Sequence, residues 1–247
     1  MRPYQGYLYA YPHKTAYRPL RPRPELREVW ATERRDALFL YLHLPFCEMR
    51  CGFCNLFTRA NPAAAEVNAY LAQLGREAAA VRQALGPARF AAGAIGGGTP
   101  TYLDAGELES LLSLAAELTG GRVPLSVETS PATATPGRVA VLARAGVHRV
   151  SIGIQSFLDA EAHAAGRPQH RKEVLAALET LAGTGFPVLN LDLIYGIPGQ
   201  TPASWQVSLD AALRYRPTEL YLYPLYVRPL TGLARRSSTT DKPAAVD

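Results

Sequence analysis

Leu38-Phe-Leu-Tyr-Leu-His-Leu-Pro-Phe-Cys47-Glu-Met-Arg-Cys51-Gly-Phe-Cys54 joins an apolar run to a loop that carries all three cysteines of the 247-residue chain. Leu38 to Leu44 predicts a buried strand. Three thiolates on one loop are one short of the four that close a zinc or iron–sulfur site. A [4Fe–4S] cluster held by three cysteines keeps one iron without a protein ligand, and that iron can bind something else. The main alternative is structural zinc with His43 as the fourth ligand, although zinc sites usually pair two distant cysteine knuckles. An odd cysteine count and the absence of an apolar leader after Met1 argue against a disulfide framework and for a reducing cytoplasm.

Downstream of this stretch the pattern alternates. Strands are predicted at Ala92 to Ile95, Leu125 to Thr129, Arg149 to Ile154, Val188 to Tyr195 and Leu220 to Tyr226. Helices are predicted over Ala64 to Leu85, Asp104 to Leu118, Pro136 to Ala145, near Lys172 to Ala182, and Pro202 to Tyr215. Asp104 is placed to cap its helix, and Gly146 to stop another. Six strand-then-helix units predict an α/β fold with a parallel sheet, open or curved into a barrel.

With 48% hydrophobic residues the chain can build a real core. The net charge of +5 is modest and scattered, with no basic helix or aromatic-interleaved stripe, which argues against nucleic acid. No stretch approaches the length of a membrane span.

Polar and glycine-rich residues gather at the predicted strand ends. The cysteine loop follows the first strand and Gly96-Gly-Gly-Thr-Pro100 the second. Glu128 ends the third, Gln155 the fourth, Asp192 lies in the fifth before Gly196-Ile-Pro-Gly199, and Arg228 follows the sixth. In parallel α/β folds active sites form at the carboxyl ends of strands, so six separate segments converge on one mouth. Singly these residues have plain structural readings. Glu128 and Asp192 suit buried hydrogen-bonded acids, Gln155 a core amide, Arg167 a surface charge, and the glycines a tight turn.

Together, several stretches resemble the radical S-adenosylmethionine (SAM) family, in its oxygen-independent coproporphyrinogen III oxidase and haem-chaperone branch. They are Tyr41 to Cys54, Gly96 to Thr101, Glu128-Thr-Ser-Pro131, Ser151-Ile-Gly-Ile-Gln-Ser-Phe157, Gly166-Arg167 with His170, and Asp192-Leu-Ile-Tyr-Gly-Ile-Pro-Gly-Gln-Thr201. The resemblance implies a partial (β/α)6 barrel of TIM-like kind. It implies a [4Fe–4S] cluster on Cys47, Cys51 and Cys54. It also implies SAM contacts from Tyr41, Gly97, Gly98, Thr99, Glu128, Gln155, Arg167 and Asp192, with Phe53 close by. Some members of the branch hold one SAM and some two. The implied partners are a small-molecule substrate, tetrapyrroles included, and an electron donor such as flavodoxin or ferredoxin.

Two departures stand out. The oxidase carries a further cysteine just after its third ligand, where this chain has Asn55. Relatives also carry a C-terminal domain over the barrel mouth. The expected division here is an aromatic and basic arm over residues 1–35, the barrel over 36–230, and a disordered tail over 231–247 without that domain. The arm, with Tyr4, Tyr7, Tyr9, Tyr11 and Tyr17, reads as a clamp on the barrel exterior or a segment reaching the site. Two functions follow: an oxidoreductase or transferase that uses a deoxyadenosyl radical, or a haem- or porphyrin-binding carrier that retains the same fold.

Overall fold

The computed structural model describes residues 18–228 and 231–235. The tyrosines of the N-terminal arm and residues 236–247 lie outside the described residues. Strands β1 (Leu38–Leu44), β4 (Phe90–Gly97), β5 (Leu125–Thr129), β6 (Arg149–Gln155), β7 (Val188–Tyr195) and β8 (Glu219–Pro224) form one parallel six-stranded sheet in that order. β1 and β8 are its two edges, so the barrel is partial, as expected. β2 (Phe46–Cys47) and β3 (Arg59–Ala60) pair with each other and tie together the two ends of the cysteine loop.

Helices α2 (Ala64–Leu85), α3 (Ala105–Thr119), α4 (Pro136–Arg144), α6 (Arg171–Thr184) and α7 (Pro202–Leu213) supply the covering layer. Asp104 caps α3 as predicted: its carboxylate accepts from the Glu107 N–H while Glu107 accepts from the Asp104 N–H. Thr201 accepts from the Ser204 N–H to start α7, with Pro202 at its first position. Leu108, Leu112, Leu142, Val174 and Leu178 are all buried and meet the strands in one core. From the sheet this core takes Leu42, Leu44, Ile95, Val127, Val150, Ile152, Ile154, Leu191 and Leu193.

The strand Leu38 to Leu44 is not buried throughout. Leu42 and Leu44 enter the core, while Phe39 and Tyr41 are exposed at 62% and 52%. The reason is alternation: successive side chains leave opposite faces of a strand, and only one face of this sheet carries helices. Helices α1 (Leu26–Ala31) and α5 (Asp159–Ala164) are too short for an apolar period to show in the sequence. α1 packs on α2, so the second half of the expected arm is part of the fold. The expected tail also starts too early at residue 231. Thr231 and Leu233 are buried, because this stretch turns back onto the cysteine loop.

Candidate active site

The carboxyl ends of the strands surround a cavity of about 620 Å³. Its wall includes Cys47, Cys51, Cys54, Phe53, Gly97, Gly98, Thr99, Glu128, Gln155, Arg167, Asp192 and Arg228. Of the residues expected in the site, Tyr41 alone stays off this wall. It lies on the same face of β1 as His43 but two residues deeper, with its hydroxyl 3.1 Å from His43 Nδ1. His43 Nε2 lies 3.3 Å from the Phe57 carbonyl, so both ring nitrogens are engaged away from the thiols. That arrangement disfavours His43 as a zinc ligand.

The cysteine loop leaves β1 through Pro45 and is pinned at both ends. Arg59 N–H donates to the Pro45 carbonyl (2.7 Å), and Asn61 N–H to the Cys47 carbonyl (2.9 Å). Thr99 Oγ1 stands 3.7 Å from Cys47 Sγ, and Arg167 Nη1 stands 3.9 Å from Cys51 Sγ. Burial pushes the Cys47 and Cys51 thiols up, while these two donors pull them down. Among the described residues no three histidine, cysteine, aspartate or glutamate side chains are gathered to hold a single metal ion. Three partly exposed thiols facing a cavity of this size instead fit a multi-iron cluster with an organic ligand beside it.

The glycine triplet has a local cause. A Cβ at Gly96 would lie 2.9 Å from the Glu128 carboxyl, at Gly97 it would enter the His43 ring, and at Gly98 it would meet the backbone of residues 44–46. Gly97 also has φ +112, which side chains rarely adopt. With the side chains gone, Gly98 N–H donates to the Leu44 carbonyl (2.6 Å) and Gly97 N–H to Glu128 Oε2 (3.1 Å).

Glu128 reaches solvent through the cavity, yet protein surrounds it on the other sides. Burial holds its carboxyl above the ordinary range, against the pull of the Gly97 N–H, and Asp192 adds to the rise. Asp192 is likewise raised by burial, although Asn190 Nδ2 (2.8 Å) and Ser151 Oγ (3.2 Å) donate to it. Tyr223 is pushed up to about 12 by burial and by Asp192, so it stays a neutral hydroxyl on the cavity wall. Gln155 sits at φ +69, where the β6–β7 register slips. This bulge turns its amide over Gly153, whose Cβ would lie 2.7 Å from Gln155 Nε2. Arg167 is held by Gln169, which accepts from Arg167 Nε (2.9 Å) and donates to the Ile154 carbonyl.

Ser151, Asn190, Tyr223 and Gln169 complete this wall and its supports, although the sequence analysis assigned none of them to the site. Strand parity would have found Ser151 and Asn190, since they share the faces of Gln155 and Asp192. Nothing local marks Gln169.

A family model described as the radical SAM superfamily matches residues 41–212. The chain belongs to the radical SAM superfamily. It is 36% identical over 192 residues to "Coproporphyrinogen III oxidase, anaerobic 1" of Cereibacter sphaeroides, covering 74% of this chain and 41% of that one. It is 32% identical over 197 residues to the "Heme chaperone HemW" of Bacillus subtilis, covering 77% and 51%. Among solved structures it resembles the coproporphyrinogen III oxidase of Escherichia coli, described as a radical SAM enzyme. The TM-score is 0.77 with 27% identity, over 89% of this chain and 51% of that one. The chain thus spans about half the length or less of these relatives. No described helix is long and apolar enough to cross a membrane.

Proposed function

We propose that this chain is a radical SAM enzyme that oxidises or methylates an organic substrate, with tetrapyrroles among the candidates. The observation that carries the reading is the convergence of the three thiols with Glu128, Gln155, Arg167 and Asp192 on one cavity wall. Cys47, Cys51 and Cys54 would hold a [4Fe–4S] cluster, and SAM would lie between the cluster loop and the strand ends. When bound, these groups supply reductive cleavage of the SAM sulfonium to a 5′-deoxyadenosyl radical.

The remaining work falls to the protein. Glu128 receives the cationic methionine end, and Asp192 binds near the nucleoside or a second SAM. Thr99 and Arg167 donate toward the cluster thiolates, where they already stand within reach of sulfur. Phe53, against Ala165 and Ile194, gives the loop an apolar side that keeps water from the radical's path. Electrons would come from a flavodoxin- or ferredoxin-like donor. Asn55 replaces the extra cysteine that the resemblance associates with the oxidase, so decarboxylation of coproporphyrinogen is not the favoured reaction.

The test is anaerobic reconstitution followed by reduction with SAM present. Release of 5′-deoxyadenosine that rises with substrate supports the reading, and no release from protein with a full cluster would sink it. A second reading is a haem-binding carrier. The similarity to heme chaperones supports it. Stoichiometric haem binding without deoxyadenosine release would select it.

A further inference from the structure

The cysteine loop has a second anchor beyond its β2–β3 ends, at Gly52 between two of the thiols. Gly52 N–H donates to the Gly166 carbonyl (2.9 Å), and the Gly52 carbonyl accepts from Leu233 N–H (2.8 Å). The residue is enclosed as well as bonded. A Cβ on Gly52 would lie 2.8 Å from the Ala165 carbonyl oxygen and 3.1 Å from Leu233 Cγ. From the other side, a Cβ on Gly232 would lie 3.2 Å from Gly52 Cα. One wall of the slot is the turn after α5, and the other is the stretch Thr231 to Leu233. That second wall is fixed in turn: Thr231 Oγ1 donates to the Arg228 carbonyl (2.7 Å), and Thr231 and Leu233 are only 1% and 7% exposed.

We infer that Thr231, Gly232 and Leu233 form a clasp whose role is to position the cluster loop. The inference rests on the proposed reading that the three thiols hold a cluster. The spacing of Cys51 and Cys54 depends on the backbone between them, and Gly52 is where that backbone is gripped from both sides. Cys47 is held separately by β2 and β3, so the clasp acts on two thiols of the three. Such a contact opens locally without unfolding the core. Its loss would therefore loosen the loop while leaving the barrel intact.

The experiment compares the parent with Leu233→Ala, Gly52→Ala and Leu233→Ile. Three measurements are made: iron release to a chelator from reconstituted protein, alkylation rate of each cysteine in metal-free protein by mass spectrometry, and melting of the metal-free form. Leu233→Ala should speed iron release and the labelling of Cys51 and Cys54 roughly tenfold, with Cys47 and the melting temperature nearly unchanged. Leu233→Ile should restore the parent rates, and Gly52→Ala should match or exceed the Leu233→Ala effect. Unchanged rates in Leu233→Ala would overturn the clasp, and so would equal acceleration at all three cysteines in step with a lower melting temperature. If Gly52→Ala does not fold, Leu233→Ala decides alone. A parent that binds no cluster sinks the proposed function, while the labelling pattern still judges the clasp.

Discussion

The two faces of the sheet are built from alternate residues of the same strands, yet they have little else in common. The helix-facing set, with Leu42, Ile95, Val127, Ile152 and Leu191, is apolar and buried to 5% exposure or less. The concave set, with Tyr41, Gly96, Glu128, Ser151, Asp192 and Tyr223, mixes acids, glycine and aromatic hydroxyls. A closed (β/α)8 barrel fills its interior with branched apolar side chains. Here the interior is left polar, and the core lies between sheet and helices. Stability and chemistry are thus assigned to opposite faces, and a mutation on one should spare the other.

The largest effect should come from the loop that crowns the concave face. Alanine at Cys47, Cys51 or Cys54 should abolish the brown chromophore of reconstituted protein and leave the circular dichroism spectrum intact. Zinc bound tightly with no iron-dependent absorbance would break the assignment. On the helix side, Leu42→Ala should cost about 2–5 kcal/mol in denaturant unfolding, as leucines inside a packed core do. SAM binding should hardly change in that variant.

Next come the two acids. Glu128→Ala and Asp192→Ala should keep the cluster but weaken SAM binding by about 1.5–3 kcal/mol each, which calorimetry resolves as roughly ten- to hundredfold. Unchanged affinity in both would make these acids structural and blur the division of faces. The same acids set a pH dependence. Both carboxyls are raised, mainly by burial. Their contribution to the stability of the empty protein is complete below the ordinary carboxylate range and is lost as pH rises through the raised values. Glu128→Gln, which keeps an acceptor for the Gly97 N–H, should therefore melt higher than the parent near neutral pH. The two curves should meet in acid. A variant that melts lower at every pH would contradict this. The smallest effect is expected at Phe39, 62% exposed on the concave side of the same strand as Leu42. Phe39→Ser should change stability by no more than about 0.5 kcal/mol.

The two faces were unequally legible in the sequence. Strand and helix positions follow from apolar runs broken by proline and glycine, and β1, α2, β5 and β7 fall where the pattern puts them. The ends of β8 and α7 moved by one to two residues, and β8 stops at Pro224, the proline inside the run Leu220 to Tyr226. In the site, the cysteines and the polar strand ends were visible because those residue types are out of place in an apolar strand. Gln169 was not, since its role comes from reaching back to the end of β6. Tyr41 lies below the cavity wall, a position the motif could not give, because a motif shows adjacency in the chain but not depth along the barrel. The clasp escaped for a related reason: Thr-Gly-Leu is unremarkable until its partner at Gly52 is known.

The strand order carries a consequence for assembly in time. Each new strand adds beside the one made before it, so the sheet can grow outward during synthesis without rearranging. The cysteine loop emerges with the first strand, but residues 231–233, which grip its midpoint, are translated after the last one. A nascent chain would thus carry its thiols through the whole of barrel formation before their final spacing is set. Iron delivered before that point would meet an unfinished nest, so the order of translation favours cluster insertion after residues 231–233 have emerged.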